Sequence, residues 1–502
     1  MSRNVLSIDK HPARLAFLVS LIFFVIALIV SLNHELWLDE TEPWLLARDS
    51  PSFSELFFNK RYEGHPDLWY VVLFLVTSVT TKVVAMQVLH VTIAATSVYL
   101  FLRYAPFPFL IRVLFCFGYF FVYEYAAISR LYAIEMLLTF TVCVLYPNRQ
   151  RYWLLFWFLL FLNAQTNFFG MLTSAAIAGL TILQSLSNAR ERLELSERRW
   201  KFVAGLIVFI CGLAWSVKSM IPPADCYYAA GWNTSWEPQR AAESIALIWQ
   251  SFVPIPEFHV KDWNSNIISS VPLKAIFSLV IYALTLFSLR RKPLVLLAYF
   301  GVTLAMLAFF YTKLPGSSIR HQGHLFTVYF VFLWIYRSAD EALIARTESK
   351  WPMIVCRFLL GVHVFVGGYA LIKELNNSFS ENKMVADFIQ ELPYECTVVA
   401  YDDLNSSPLS AYLNTPVYYP ARKMFGSYYQ LTENGRSPIN PDLVLDEAHR
   451  IAVEKNQNVV VVFDDKDQLI HMPKDYPVNK IFETRDEGVI GPPYFVVLVS
   501  PK

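Results

Sequence analysis

Twelve apolar segments run through most of the sequence, and they restrict the fold more than any other feature. A chain crosses the hydrocarbon core of a bilayer as a helix of roughly 20 mostly apolar residues, because no water is present there to pair with the backbone. The first segment is long for a cleavable signal peptide, and polar residues rather than a small-residue cleavage site follow it. The twelve segments are Leu15–Leu32, Leu68–Thr80, Met86–Leu102, Phe109–Tyr123, Leu131–Tyr146, Trp153–Asn163, Phe168–Leu186, Phe202–Met220, Ala275–Leu289, Leu294–Tyr311, Leu325–Tyr336 and Met353–Ile372.

The distribution of Lys and Arg orients these segments, because short cytoplasmic loops carry such residues in excess. Arg3, Lys10 and Arg14 place the N-terminus inside. If all twelve segments crossed, the basic cluster at 190–201 would lie outside, against this rule. We therefore expect about eleven spans, with the short Leu68–Thr80 segment at the outer interface. The regions then expected on the non-cytoplasmic side are 34–67, 129–131, 222–274, 313–324 and the tail after Lys373.

The tail has a different pattern from the rest of the chain. Short apolar strands, TVVAY, NVVVVF and YFVVLV, alternate there with helical stretches. This predicts a small α/β domain with a mainly parallel sheet. The tail lacks the loops G-x-G-x-x-G and G-x-x-x-x-G-K-S/T, which argues against nucleotide binding. The predicted fold is thus an α-helical polytopic membrane protein, residues 1–372, with a C-terminal soluble α/β domain, residues 373–502.

Composition excludes several classes of function. Hydrophobic residues make up 55% of the chain and charged residues 17%, which is typical of a membrane protein. The 42 Lys and Arg residues balance 41 Asp and Glu residues, so no nucleic-acid partner is expected. The six cysteines include no C-x-x-C pair, so no zinc ribbon is predicted.

The loop at 34–67 carries most of the chemistry. Acids follow the first span directly, and an acid and a histidine precede the next apolar segment. One interpretation is a solvated acidic loop. Tryptophan and leucine residues interleave with the acids, however, so the backbone is expected to lie at the membrane interface, where burial suits a carboxyl group to proton transfer or metal binding. The polar residues concerned are Asp39, Glu40, Glu42, Glu63 and His65.

This loop resembles the first outer loop of the GT-C superfamily, which comprises integral-membrane glycosyltransferases that use polyprenyl-phosphate sugars. Asp39 and Glu40 match the acidic pair of that family, and Glu63 matches its second loop acid. Asp67 departs from the usual double proline. The segments AAISRLYAIEM and SSIRHQGHLF resemble two later outer loops. The other matching residues are His65, Pro66, Leu68, Tyr70, Arg130, Tyr132, Arg320 and His321.

The resemblance implies sugar transfer from a polyprenyl-phosphate donor to an acceptor hydroxyl on the non-cytoplasmic face, with inversion. Asp39 is the predicted general base, and Glu40 orients it or shares its proton. Arg320 is expected to bind the donor phosphate with His321, and Arg130 with Tyr132 forms a second phosphate contact. The family also suggests a bacterial inner membrane with a periplasmic tail, and a partner set of donor lipid, membrane lipid and an acceptor that is a lipid, glycan or protein.

Several alternatives remain open at this stage. No cofactor is required, but Asp39, Glu63 and His65 could together hold a divalent metal ion. Arg320 and His321 could be snorkelling residues at a helix end, and Arg130 could pair with Glu124 or Glu135. The function could also be that of an envelope-polysaccharide polymerase or ligase that acts on diphosphate-linked glycans, or of a non-enzymatic transporter.

Overall fold

The structure is a computed structural model, and the residues it describes are 12–227, 231–258, 264–338, 350–429, 431–432, 439–469, 475–484 and 488–501. Side chains at 12, 189–197 and 350–353 are outside the description. Of the basic residues used above for orientation, Arg3 and Lys10 lie outside the described residues.

The first three quarters of the chain are helical. Long apolar helices alternate with shorter ones. The connections between them include a π turn at Phe120–Glu124 and 3₁₀ turns at Lys60–Tyr62 and Tyr146–Tyr152. The helices are α1 Pro12–Asn33, α2 Leu38–Arg48, α3 Phe53–Asn59, α4 Leu68–Thr77, α5 Val84–Tyr104, α6 Phe109–Cys116, α7 Tyr132–Leu145, α8 Trp153–Ala164, α9 Phe168–Ser187, α10 Ala189–Met220, α11 Pro238–Phe252, α12 Val271–Leu289, α13 Pro293–Thr312, α14 Ile319–Ser338 and α15 Lys350–Asn376.

Seven helices among the described residues are long and apolar enough to cross a membrane, so the chain is a multi-pass membrane protein. They lie in α1, α5, α9, α10, α12, α13 and α15. The other predicted spans coincide with helices that are shorter or begin with polar residues, so the count of eleven stays a prediction. Leu68–Thr80 contains α4, whose ten residues extend only about 15 Å, too short to cross.

The outward faces of these helices are apolar. Phe17 on α1, Ile207 on α10 and Ile276 on α12 each expose more than half of their surface. A stable soluble protein rarely exposes so much apolar surface to water, whereas lipid tails solvate such a surface. The exposed faces therefore mark the lipid boundary.

Stacked aromatic rings fill the space between α5, α6, α7 and α14. The ring centroids of Phe101 and Phe115 are 4.2 Å apart, and those of Phe115 and Phe330 are 4.6 Å apart. Trp334 stands edge-on to Phe101 at 5.4 Å. This packing fixes α14 and, with it, the position of Arg320 in the first turn of that helix.

One helix lies inside a region expected to be an outer loop. α11 has a polar and an apolar face, and Leu247, Ile248 and Phe252 are buried against the membrane helices. Phe252 contacts the ring of Phe326 on α14 at 5.4 Å. A search for long apolar runs misses such a helix, because only one face is apolar.

The tail forms an α/β domain with a six-stranded sheet in the order β3-β2-β1-β4-β6-β5. β1 is parallel to β2 and β4, but the pairs β2–β3, β4–β6 and β5–β6 are antiparallel. The expectation of a mainly parallel sheet is therefore wrong at both edges. At the β3 edge, the turn between β2 and β3 is too short to hold a crossover helix. The elements are α16 Asn382–Gln390, β1 Thr397–Ala400, α17 Asp403–Leu413, β2 Val417–Tyr419, β3 Met424–Gly426, α18 Pro441–Lys455, β4 Val459–Phe463, β5 Val478–Glu483 and β6 Phe495–Val499.

Both faces of this sheet are covered. Val459 and Val461 of β4 pack with α18, and Val460 and Val462 pack with α16 and α17. This explains why β4 is a continuous run of valines rather than an alternating pattern. The boundary proposed after residue 372 falls within the last turn of α15, which continues to Asn376.

Candidate active site

The site is built around Asp39 in the first turn of α2. Four residues, 34–37, separate the end of α1 at Asn33 from the start of α2 at Leu38. Two acids, Asp39 and Glu40, occupy the first turn, where the positive end of the helix dipole favours negative charge. Eight of the eleven residues of α2 are buried within the protein, so the interpretation as a solvated acidic loop is wrong for α2, while its place at the membrane interface stays a prediction.

Two arginines hold the Asp39 carboxylate. Arg320 Nη2 lies 2.7 Å from Asp39 Oδ2, and Arg130 Nη1 lies 3.6 Å from the same oxygen. Arg130 Nη1 also donates to the backbone carbonyl oxygen of Asp39. The Asp39 side chain keeps 28% of its surface exposed. Burial raises the pKa of Asp39, but Arg130 and Arg320 lower it by more, so the net pKa lies below the ordinary value.

The nitrogen atoms around this carboxylate are not all satisfied. Four of them are buried and have no hydrogen-bond partner among the described residues, namely Trp37 Nε1, Arg130 Nε, Arg320 Nε and His321 Nδ1. The Arg320 guanidinium also lies 5.2 Å from the centre of the Trp37 ring. Buried donors without acceptors are costly, so this cluster is suited to bind an anion.

Glu63 and His65 approach the same cluster from the other end of the loop. Tyr70 donates to Glu63 Oε2 at 3.2 Å. Burial raises the pKa of Glu63 to about 7, against the opposing effects of the Tyr70 hydroxyl and Arg130. Burial and then Arg130 lower the pKa of His65 to about 3, so this ring is neutral at physiological pH.

The suggested metal site receives no support from this geometry. Within the described part of the chain, no group of three His, Cys, Asp or Glu side chains is arranged to hold a metal ion. Asp39 has two arginines as neighbours, and their positive charge opposes binding of a cation. Asp39, Glu63 and His65 interact electrostatically, and a divalent metal held by them stays a prediction that this geometry does not favour.

Asp67 has a structural role that explains its departure from the family pattern. Lys60 Nζ is paired with Asp67 Oδ1 and donates to the carbonyl oxygen of His65 at 2.8 Å. Trp215 Nε1 on α10 donates to the other Asp67 oxygen at 2.6 Å. The chain thus uses a buried ion pair to fix the turn that carries Glu63 and His65. Sequence reasoning missed Lys60, which lies in an ordinary-looking loop.

Glu40 is completely buried, in contrast to the partly exposed Asp39. Its Oε2 atom lies 2.7 Å from His34 Nε2, and its Oε1 atom accepts from the Ser129 N–H at 2.5 Å. The described residues show no hydrogen bond between Glu40 and Asp39. Glu40 could therefore orient Asp39 only indirectly, through Ser129 and the adjacent Arg130.

Tyr132 and His321 lie beside the two arginines. The Tyr132 ring is 6.1 Å from His321 and 5.3 Å from His324, measured between centroids. His324 Nε2 lies 2.7 Å from Glu135 Oε2. The alternative in which Arg130 pairs with Glu124 or Glu135 is wrong, since Arg130 binds Asp39. The other glutamate, at position 124, accepts from the Tyr119 hydroxyl at 2.5 Å.

The C-terminal domain closes over α2 and its flanking residues. The Tyr412 hydroxyl accepts from the Leu36 N–H at 2.6 Å, and Glu42 Oε2 accepts from the Tyr429 N–H at 2.8 Å. Arg48 Nη1 donates to the carbonyl oxygen of Ser410 at 3.0 Å. The domain expected to be an accessory therefore helps to position the helix that carries Asp39, through contacts that no local sequence pattern predicts.

Comparison with known proteins shows which solved structures resemble this architecture. No protein-family model matches the chain, and no curated protein gives a significant sequence match. Two solved structures of ArnT from Cupriavidus metallidurans do match, one in the apo state and one bound to undecaprenyl phosphate. Each is 12% identical in sequence, with TM-scores of 0.53 and 0.52. Each comparison covers 97% of this chain, together with 98% of the apo chain and 97% of the bound chain.

The chain shares the fold of ArnT. The architecture expected from the resemblance of the first outer loop is therefore confirmed as a fold. The match to ArnT covers nearly the whole of this chain, so the C-terminal domain belongs to the shared architecture. At 12% identity the comparison shows the fold alone, and the chemistry depends on the residues of the site.

Proposed function

We propose that this protein is a membrane glycosyltransferase that moves a sugar from a polyprenyl-phosphate donor to an acceptor hydroxyl. The observation that carries the proposal is the Asp39 carboxylate held by Arg320 and Arg130, with buried donors to spare around it. An ArnT structure of the same fold binds undecaprenyl phosphate, which supports a polyprenyl-linked donor here.

The residues suit a single displacement. The acceptor hydroxyl gives its proton to Asp39 as its oxygen attacks the anomeric carbon, and the bond from that carbon to the phosphate oxygen breaks. The donor phosphodiester carries one negative charge, and the departing polyprenyl phosphate gains a second. Arg320 and Arg130 are placed to stabilise this developing charge, so no general acid is needed. One displacement without a covalent sugar intermediate inverts the anomeric configuration.

Donor binding also explains how Asp39, whose pKa is low in the free protein, could act as a base. In the free protein two guanidinium groups keep its pKa low, which makes it a weak base. A phosphate that attracts the same guanidinium groups weakens their hold on Asp39 and raises its proton affinity. The base therefore becomes effective when the donor is bound, and an empty site does not activate water.

His321 and Tyr132 belong to the donor side of the proposed site. His321 Nδ1 is buried without a partner, and it lies against the Tyr132 ring. A neutral imidazole can donate one hydrogen bond to a phosphate oxygen, and the aromatic ring can pack on the sugar or the first lipid carbons. Glu63, with a pKa of about 7, interacts electrostatically with Arg130 and Asp39 of the same site.

The test is direct. Purified protein is incubated with a panel of polyprenyl-phosphate sugars, and release of polyprenyl phosphate is measured for the wild type and for Asp39→Ala. Release that depends on Asp39 supports the proposal. No release with any donor, or near-normal turnover of diphosphate-linked glycans by Asp39→Ala, would favour the polymerase or ligase alternative.

A further inference from the structure

A buried row of acid, imidazole and acid connects the first and last membrane helices. His34 follows α1, and Glu374 lies in the last turn of α15. His34 Nε2 lies 2.7 Å from Glu40 Oε2, and His34 Nδ1 lies 2.8 Å from Glu374 Oε1. The His34 and Glu40 side chains are fully buried, and that of Glu374 is 1% exposed.

The geometry sets the charge state of this row. A neutral imidazole donates from one nitrogen only, yet both His34 nitrogens face carboxylate oxygens. Burial lowers the pKa of His34, but the charges of Glu40 and Glu374 raise it more, so His34 is held as an imidazolium. Tyr123 donates to the remaining Glu374 oxygen at 2.6 Å, so both oxygens of that carboxylate have a hydrogen-bond partner.

The row ends at the turn that carries Arg130. Glu40 Oε1 accepts from the Ser129 N–H, while the next residue, Arg130, contacts the backbone and carboxylate of Asp39. Two neighbouring residues of α2 are thus tied to two neighbouring residues of the turn. If Glu40 rotates, Ser129 loses its acceptor and the Arg130 guanidinium shifts relative to Asp39.

We propose that His34 and Glu374 are positioning residues for the Asp39 site, which act through Glu40 and Ser129 to set the placement of Arg130. The inference rests on the proposed function, because it assigns these residues to the binding and transfer of the donor. The proposal also gives a role to Glu40, which is completely buried. It also links the end of the last span to the catalytic loop, although the two residues are 340 positions apart in sequence.

The experiment compares His34→Gln with Glu374→Gln in the purified full-length protein. A glutamine at position 34 is uncharged and carries both of its donors on one nitrogen, so it cannot replace an imidazolium that donates from two separate nitrogens to the two buried acids. We expect kcat to fall by about 100-fold, because a displacement of about 1 Å at a reacting group costs about that much. The KM for the acceptor should stay within about twofold. Glu374→Gln keeps an acceptor for His34, and we expect a loss of about tenfold.

His363→Gln is the matched control. His363 is also fully buried and bonds through Nε2 to the carbonyl oxygen of Phe252 at 3.0 Å, but it has no contact with the Asp39 site. This variant should lower thermal stability and leave kcat and binding of undecaprenyl phosphate within about twofold of the wild type. If His34→Gln does not fold, Glu374→Gln carries the comparison.

A double-mutant cycle separates positioning from general destabilisation. His34→Gln is made in the wild type and in Arg130→Lys, and binding of undecaprenyl phosphate and turnover are measured for all four proteins. If His34 acts through Arg130, its replacement costs less than about twofold in the Arg130→Lys background. An equal loss in both backgrounds overturns the inference while the proposed function stands. A wild type that neither binds the lipid phosphate nor transfers sugar overturns both.

Discussion

At the scale of single residues, Asp39 has two roles in the proposed site. It pairs with Arg320 and Arg130 in the free protein, and it acts as the base when the donor is bound. In the free protein its carboxylate occupies the place beside both guanidinium groups where a phosphate would be favoured. The carboxylate therefore competes with the donor for the arginines. In the proposed mechanism, the same group serves as the base once the donor phosphate has taken its place beside the arginines.

Replacing Asp39 with asparagine should separate these two relationships. We expect Asp39→Asn to lower turnover by about 10²–10⁴-fold, the usual contribution of a general base. Binding of undecaprenyl phosphate should tighten several-fold, because a partly exposed ion pair worth up to about 1 kcal/mol no longer competes. Isothermal titration in detergent measures the affinity, and Asp49→Asn, at the other end of α2, is the control. Weaker binding by Asp39→Asn would contradict the competition.

Glu63 should give the site a pH dependence near neutrality. Its pKa in the folded protein is about 7, above its ordinary value, so the folded state binds the proton more tightly than the unfolded chain. The stability that Glu63 contributes is fully present below the unfolded value and is lost as pH rises to about 7. Above that pH, the ionised carboxylate repels a phosphate, so lipid-phosphate affinity should fall by no more than about tenfold per pH unit.

Glu63→Gln should remove this dependence. The ratio of the dissociation constants of the wild type and Glu63→Gln cancels the titration of the lipid phosphate itself. We expect this ratio to rise between about pH 6 and 8. Glu55→Gln, which changes an exposed acid on α3, should give a ratio that does not vary with pH. A flat ratio for Glu63→Gln would show that Glu63 does not act on the phosphate.

At the scale of elements, the turn between α3 and α4 depends on the buried pair of Lys60 and Asp67. The Lys60 side chain is 2% exposed and that of Asp67 is 11% exposed. Asp67→Ala leaves the ammonium group buried with a single backbone acceptor, and we expect a loss of about 3–5 kcal/mol. Replacing Lys60 with methionine in the same protein should recover most of that loss, since both charges are then absent.

Denaturant titration in detergent checks this prediction. Glu454→Ala removes one partner of an exposed pair with Arg450 and should cost less than about 1 kcal/mol. A similar small cost for Asp67→Ala would show that the turn is held by other contacts. A stable Asp67→Ala protein that has lost turnover would instead place Lys60 and Asp67 in the chemistry.

The elements also show what the sequence could and could not predict. Long apolar runs locate α1, α5 and α13 closely, because a bilayer imposes both length and composition on a span. The amphipathic α11 was missed, since half of its surface is polar. The family pattern located Asp39, Arg130 and Arg320, yet spacing could not show that Glu40 turns inward. His34 and Glu374 meet only through the fold, so no local pattern signals their pairing.

For the whole molecule, the ends of α13 relate the site to the membrane. Its twenty residues extend about 30 Å, roughly the thickness of the hydrocarbon core. The basic residues 290–292 precede one end, and the other end leads through a short turn to Arg320. The site and the basic loop therefore lie on opposite faces. The C-terminal domain contacts Leu36, Glu42 and Arg48 and so shares the face of the site.

The positive-inside rule predicts that the basic loop is cytoplasmic, so we expect the site and the C-terminal domain on the outer side. Arg450→Cys on α18 and Arg291→Cys test this in a Cys396→Ser background, which removes a partly exposed native thiol of the same domain. A membrane-impermeant maleimide should label Arg450→Cys in right-side-out vesicles and Arg291→Cys only in inside-out vesicles. The opposite pattern would place the site in the cytoplasm. Labelling of both from one side would mean that α13 does not cross, because its two ends would then share a compartment.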